Sequence, residues 1–308
     1  MAGSVSPIPW TGSKGCIYRT IDAFMPPHKT YIEACMGSAE VFLRKAPAQK
    51  EIINDYNGDL VKFFRVLQRN EKLAYLIGRL YLSFNSEELF RENKEMLQNT
   101  PNILDDIEDT ALIIEQADWD DIRAAAAFIE NQTFSFSSTG KTFAIAKNDM
   151  TMRFSRLVAA SYRLRDAIIL HRDYKDAIEY GAGLDTFILL DPPYKGTEKY
   201  YRKSSFDSDE HERLFEFMAG INDRFKGECK FLITYNNCEY IRSLADKYGF
   251  YTYVQPRINN MIQGVRPGEM FEELLIVNYD LEAQAEANKK ILLDERSQLT
   301  LFDFHYDY

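Results

Sequence analysis

Asp191-Pro192-Pro193-Tyr194 closes an apolar run, Phe187 to Leu190. An aromatic ring offers a stacking face to a flat base. A carboxylate beside it can accept a hydrogen bond from an amine. Two prolines lack amide N–H groups and restrict φ, so the turn is stiff and leaves carbonyl acceptors. Acceptors beside a stacking ring suit an exocyclic amino group. Asp191 and the Pro192 carbonyl would take its two hydrogens and favour a pyramidal nitrogen with a free lone pair. A proline-rich turn of no function has the same composition, so the surroundings decide.

A second set of residues supplies part of those surroundings. Gly37-Ser38 ends the run "KTYIEACMG" (Lys29 to Gly37), where a glycine lets a ligand approach the backbone. Asp55 ends "KEIIND" (Lys50 to Asp55), 18 residues after Gly37. An acid at that distance beyond a glycine turn suits a grip on two ribose hydroxyls. The phosphate-cradling G-x-G-x-x-G is absent, which favours a nucleoside-type cofactor over a dinucleotide.

These residues need strands to carry them. The runs ending at Gly37, Asp55 and Tyr194 are short and apolar, as in buried parallel strands. "DAIILHRDY" (Asp166 to Tyr174), "CKFLITYNN" (Cys229 to Asn237) and "FEELLIVNY" (Phe271 to Tyr279) repeat the pattern. Helical patterns lie between them: Ser38 to Lys45, Asp59 to Asn70, Asp207 to Phe225 with Asp207 or Ser208 as cap, and "NCEYIRSLADKYGF". The alternation predicts an α/β fold, an open and mostly parallel sheet with helices on both faces. Ligands then bind outside the carboxyl ends of the strands, where the informative residues sit.

The interval from Glu71 to Leu164 breaks the alternation and reads as a mostly helical insert. Inside it, "ENQTFSFSSTGKTFAIAK" alternates aromatic and polar residues about Ser138-Thr139-Gly140, a hairpin or loop signal. The expected division is 1–70 with 165–295 as the catalytic unit, 71–164 as the insert with a hairpin near 131–147, and 296–308 as a tail.

The net charge of −10 argues superficially against a nucleic-acid partner, but its distribution does not. Residues 86–130 hold 13 acidic and 3 basic side chains, whereas 141–172 hold 7 basic and 2 acidic. A local basic face is what meets a phosphate backbone. With 45% hydrophobic residues the chain can build a full core. It shows no signal peptide, membrane-length apolar run or metal-ligand spacing, which predicts a cytoplasmic protein needing no metal, nucleoid-associated if its basic face binds DNA. His171 and His211 read as surface or structural residues.

"PWTGSKG" (Pro9 to Gly15), "YIEACMGSAEVFL" (Tyr31 to Leu43), "IINDYNGDLVKFFRVL" (Ile52 to Leu67) and "LLDPPY" occur in that order. Together they resemble the Dam-type DNA adenine-N(6) methyltransferases, whose target-recognition insert separates the cofactor half from the DPPY half. The resemblance covers nearly the whole chain and is weakest in the insert. It implies a Rossmann-like sheet, S-adenosyl-L-methionine as methyl donor, and transfer to the N(6) amine of an adenine flipped out of duplex DNA. It also implies site roles. Trp10 and Lys14 match the N-terminal cofactor motif, and Glu33, Gly37 and Ser38 the glycine motif. Asp55 matches the ribose acid, Asp173 with Tyr174 the segment near the cofactor's adenine, and Asp191, Pro192, Pro193 and Tyr194 the catalytic tetrad.

For DNA, the resemblance and local charge single out Lys141, Lys147, Arg153, Arg156, Lys195, Lys199, Arg202 and Lys203. In the tail, "QLTLF" resembles the peptide by which bacterial replication proteins dock on the sliding clamp, with Gln298, Leu299, Leu301 and Phe302 as contacts. One departure stands out: the family's second glycine is Ala39 here. An alanine fits there with negative φ; a positive φ would weaken cofactor binding. A methyltransferase acting on RNA or a protein glutamine amide, and a DNA-binding relative without turnover, remain as rival readings.

Overall fold

The computed structural model describes residues 4–99, 119–144, 150–197, 206–207, 209–258 and 270–289. Five parallel strands form the centre and one side of a sheet: β1 (Thr30–Glu33), β2 (Lys50–Asn54), β3 (Ile168–Leu170), β4 (Thr186–Leu190) and β5 (Lys230–Asn236). Two further strands, β6 (Tyr251–Ile258) and β7 (Met270–Val277), complete the order β3-β2-β1-β4-β5-β7-β6. The result is an α/β, Rossmann-like sheet. The strand order reverses between β1 and β4, which opens a crevice at their carboxyl ends.

Two expectations change at the far edge. "FEELLIVNY" is strand β7 but runs antiparallel to β5 and β6, not parallel like the others. Strand β6 was not foreseen, because its side chains from Tyr251 to Pro256 are exposed or half-exposed at the sheet edge and carry no apolar run. Pro256 is tolerated in such an edge strand.

The alternation of side chains across β4 explains the two cores. Phe187 and Leu189 point to one face with Tyr31, Ile53, Leu232 and Leu275. Ile188 and Leu190 point to the other with Ile32, Ile52, Ile233 and Ile276. All five β4 side chains are buried. Each large one contributes roughly 1.5–3 kcal/mol through burial.

The first face is covered by α1 (Tyr18–Phe24), α2 (Glu40–Arg44) and α3 (Gly58–Gln68). Asn57 caps α3, its side chain accepting the amides of Asp59 and Leu60. The second face is covered by α8 (Tyr174–Gly181), α9 (Glu210–Arg224) and α10 (Glu239–Lys247). Helix α9 starts later than the sequence pattern suggests, and Asp207 Oδ1 accepts the amides of Asp209 and Glu210 at 2.9 Å each.

Between β2 and β3 lie α4 (Asn70–Tyr81), α5 (Glu87–Asn99), α6 (Trp119–Thr133) and α7 (Phe154–Leu164). Their apolar faces continue the first core through Leu76, Phe128, Ile129 and Leu157. The stretch read as non-helical from Glu130 begins as helix: α6 continues to Thr133. Glu130 is buried there as an acceptor for the Ser83 hydroxyl and for Asn93 Nδ2. A short loop follows, closed by an antiparallel bridge between Ser135 and Phe143. Helix α7 is tied to the sheet by Arg163, which grips Glu51 alongside Lys45.

Candidate active site

The carboxyl ends of β1, β2 and β4 bring three polar stretches together. Gly37 has φ +46°, which glycine adopts without a Cβ clash. A methyl group there would stand 2.8 Å from Trp10 Nε1, so the turn and the indole are in close contact. Asp55 holds the turn: its Oδ2 accepts the Gly37 amide at 2.9 Å and its Oδ1 accepts the Asn57 amide at 2.9 Å. Burial raises the Asp55 carboxyl to about 6, against the lowering effect of those two amides.

Ala39 caps α2 with φ +52° and ψ +29°, a left-handed conformation for a fully buried alanine. The unfavourable branch of the sequence expectation is therefore the observed one. Such a residue costs about 1–2 kcal/mol relative to ordinary helical geometry.

Glu33 ends β1 almost fully buried. Its Oε2 accepts the Tyr31 hydroxyl at 2.7 Å and the Phe42 amide at 2.9 Å. Burial nevertheless dominates and pushes the carboxyl up to about 8. Glu33 shares a cleft with Trp10, Lys14, Gly37, Ser38 and Asp191.

Asp191 follows β4, half-buried. Lys14 Nζ donates to its Oδ2 at 2.6 Å and to the Gly12 carbonyl at 2.7 Å. Thr234 Oγ1, from β5, donates to Asp191 Oδ1 at 2.7 Å. Each carboxylate oxygen thus has one donor that fixes it and a further lone pair. Pro192 and Pro193 are buried, and Tyr194 is half-buried. Tyr194 donates its hydroxyl to Glu273 Oε1 on β7 at 2.9 Å. Burial, with Asp191 and Glu273 nearby, holds that phenol well above its ordinary range. The Tyr194 ring lies 5.9 Å from the Tyr235 ring, and Lys14 Nζ stands 5.1 Å from its centroid.

Asp173 caps α8 through the Lys175 amide at 2.9 Å. Tyr174 packs edge-on to Phe217 at 6.1 Å and donates to Glu210 at 2.9 Å. Both lie at the carboxyl end of β3, on the side of the crevice away from Tyr194.

The DNA candidates divide. Lys147, Lys199, Arg202 and Lys203 lie outside the described residues, as do Gln298, Leu299, Leu301 and Phe302. Lys141 is half-buried in the loop after α6, and its carbonyl accepts from Lys94 Nζ at 2.8 Å. Arg153 turns inward and donates to the Pro7 carbonyl at 3.4 Å, so it braces the N-terminal segment. Arg156 is half-buried near it on α7. Lys195 covers the Tyr240 ring at 4.9 Å.

Sequence reading missed three residues that make hydrogen bonds to the site. Thr234 and Glu273 sit on strands that reach the tetrad only in the folded sheet. Glu40, buried at the start of α2, accepts Ser4 Oγ and the amides of Val5 and Ser6, clasping the N-terminal segment onto the glycine turn. An isolated carboxylate inside "SAEVFL" was the one available signal. The two histidines are interior: His211 is fully buried against the Tyr235 hydroxyl at 2.9 Å, and His171 is buried near the Tyr56 carbonyl. Among the described residues, no cluster of three or more metal-ligating side chains occurs, and no helix is long and apolar enough to cross a membrane.

Comparison with known proteins agrees with this geometry. The family of D12 class N6 adenine-specific DNA methyltransferases matches residues 10–257. The DNA N-6-adenine-methyltransferase of Escherichia phage P1 is 26% identical over 257 residues, covering 78% of this chain and 31% of the phage protein. The Type II methyltransferase M.CviBI of Paramecium bursaria Chlorella virus NC1A is 22% identical over 282 residues, covering 88% of this chain and 98% of the viral protein. The chain thus spans about a third of the first relative's length and nearly all of the second's. With the matched region running from the Trp10 motif through the DPPY tetrad to β6, the chain belongs to the D12 class N6 adenine-specific DNA methyltransferase family.

Proposed function

We propose that the chain transfers a methyl group from S-adenosyl-L-methionine to the exocyclic N(6) amine of adenine in duplex DNA, with the base turned out of the helix. The observation that carries this reading is Asp191. It is a carboxylate fixed on both oxygens, beside Tyr194, at the crevice between β1 and β4.

The cofactor residues fit the donor. Gly37 lets the turn pack against Trp10 where a Cβ would collide, Asp55 steadies that turn, and the cleft has Lys14 for a carboxylate and the Glu33 carboxyl, whose ionised form a bound ammonium group would favour. When bound, the cofactor supplies an electrophilic methyl group on a sulfonium. The chain's residues do the rest by positioning. Asp191 accepts one amine hydrogen through a lone pair that Lys14 and Thr234 leave free. The Pro192 carbonyl accepts the other, which directs the nitrogen lone pair towards the methyl group. Tyr194 stacks on the extruded base and offsets part of the few kcal/mol that unstacking costs.

Lys141, Lys147, Arg153, Arg156, Lys195, Lys199, Arg202 and Lys203 are assigned to the DNA on charge and sequence position. Gln298, Leu299, Leu301 and Phe302 are assigned to the sliding clamp on the resemblance of "QLTLF" alone. A chain ending at Arg296 that binds the clamp as tightly as the full chain removes that last assignment.

The decisive experiment is sequencing of modified adenines in DNA from cells expressing the chain or its Asp191→Ala variant. Adenine-N(6) methylation at a defined sequence, present with the first and absent with the second, is the expected result. Methylation of RNA or of a glutamine amide instead would replace the reading.

A further inference from the structure

Strand β7 carries two consecutive glutamates that behave oppositely. Glu272 is exposed, and its Oε2 accepts Asn237 Nδ2 at 2.5 Å. Glu273, one residue on, faces inward and is fully buried. The neighbouring interior positions of β7, Leu274 to Val277, are all apolar. A buried carboxyl group is costly unless a hydrogen bond compensates it. One partner at this position is the Tyr194 hydroxyl at 2.9 Å, 79 residues away in sequence.

The geometry of a phenol gives that contact a specific effect. The hydroxyl oxygen lies on the axis through Cβ and Cγ. Pinning it fixes the direction of the ring from the backbone, which is χ1, while leaving rotation about the axis free. Tyr235 on one side and Lys14 on another limit that rotation. The antiparallel pairing sets Glu273 opposite Asn236 at the carboxyl end of β5, which is also where Asp191 and Tyr194 follow β4. A parallel last strand would bring its opposite end to this level.

We infer that Glu273 is a positioning residue for the reaction, holding the Tyr194 ring in the one direction that stacks on the extruded adenine. This rests on the proposed role of Tyr194 and adds the group that orients it. Glu273 touches neither base nor cofactor in this assignment, so its loss acts on turnover and base stacking, not on cofactor affinity.

The test is a double-mutant cycle between Glu273→Leu and Tyr194→Phe, with Glu273→Gln as the conservative control. Turnover is measured on a duplex carrying the mapped target. Stacking is measured by the fluorescence of 2-aminopurine placed at the target adenine. Glu273→Leu and Tyr194→Phe are each expected to lower kcat about tenfold with cofactor KM unchanged. The double variant should be no worse than either alone. Glu273→Gln, whose amide oxygen can still accept from the hydroxyl, should stay within about threefold of the unaltered chain.

Multiplying losses, or full turnover in Tyr194→Phe, would overturn the inference, and the second of these needs no change at Glu273 should Glu273→Leu fail to fold. A readout independent of activity separates this claim from the proposed function. In crystals of Glu273→Gln and Tyr194→Phe, the aromatic ring at 194 is expected in its original direction in the first and spread over more than one χ1 rotamer in the second. A single unchanged rotamer in Tyr194→Phe overturns the inference whether or not the chain methylates DNA.

Discussion

Lys14 Nζ lies 2.6 Å from Asp191 Oδ2, joining the N-terminal segment to the end of β4 across 177 residues of sequence. Lys14 is nearly buried, so the contact is little screened by solvent. It links the cofactor motif to the acid proposed to receive the substrate amine. Asp191→Ala is expected to abolish methylation while cofactor binding, measured by calorimetry, persists. Loss of both would show that the pair holds the whole crevice together.

Thr234 is the other support of that acid. Replacing it by valine preserves shape and removes the donor to Asp191 Oδ1. Turnover is expected to fall about tenfold with folding stability lowered by only about 1 kcal/mol. Steady-state kinetics beside a urea melt separates the two effects. A large stability loss with unchanged turnover would mean the hydroxyl serves only the core.

Gly37→Ala adds a methyl group 2.8 Å from Trp10 Nε1 and forces a side chain into φ +46°. The Trp10 indole must shift. Cofactor affinity is expected to drop at least tenfold, an energy of about 1.4 kcal/mol. Indole fluorescence reports the displacement directly. Wild-type affinity in this variant would place the donor elsewhere.

Ala39→Gly acts in the other direction. It relieves the left-handed strain but loosens the unfolded chain and deletes a buried methyl group, so the net gain is at most about 1 kcal/mol. Ala39→Val, branched and fully enclosed, should cost more than about 2 kcal/mol. Thermal melts of the two variants check the pair of signs, and cofactor titration tells whether the strain reaches the binding site.

Glu33 makes stability depend on pH in an unusual sense. Its carboxyl rises from an ordinary 4.5 to about 8 in the folded chain. Between those values the native state holds more protons than the unfolded one, so stability falls as pH rises and levels off above about 8. Asp55, raised to about 6, adds to the fall over the lower part of that window. Glu33→Gln is expected to flatten the decline, a difference of a few kcal/mol at most at the alkaline end. Chemical denaturation at pH 5 and pH 8 measures it, and an equal slope in the variant would contradict the assignment.

The parallel strands were legible because each combines an uninterrupted apolar run with a polar end. That pattern arises when both faces of a strand are covered and only its tip reaches the crevice. Gly37, Asp55 and Asp191 were therefore placed at strand tips, which is where the folded chain has them. Thr234 and Glu273 were not. A threonine inside "FLITYNN" and a glutamate inside "FEELLIV" look like ordinary strand polarity. Only the pairing of β5 with β4 and β7 shows that they face the tetrad. Arg153 shows a related limit: in sequence it belongs to a basic stretch, and only the folded chain shows that it also meets Pro7.

The place of β1 in the sheet also sets a timetable. It pairs with β2 on one side, available almost at once, and with β4 on the other. At roughly 5–20 residues per second on the ribosome, the 156 residues from Thr30 of β1 to its partner Thr186 of β4 take about 8–31 s to appear. Through that interval one edge of β1 has no strand to pair with. The nascent chain must shield it, because an uncovered edge invites association with other chains. The crevice is thus assembled late in synthesis, and conditions that slow elongation or remove chaperones should lower the yield of folded protein before they affect the finished molecule.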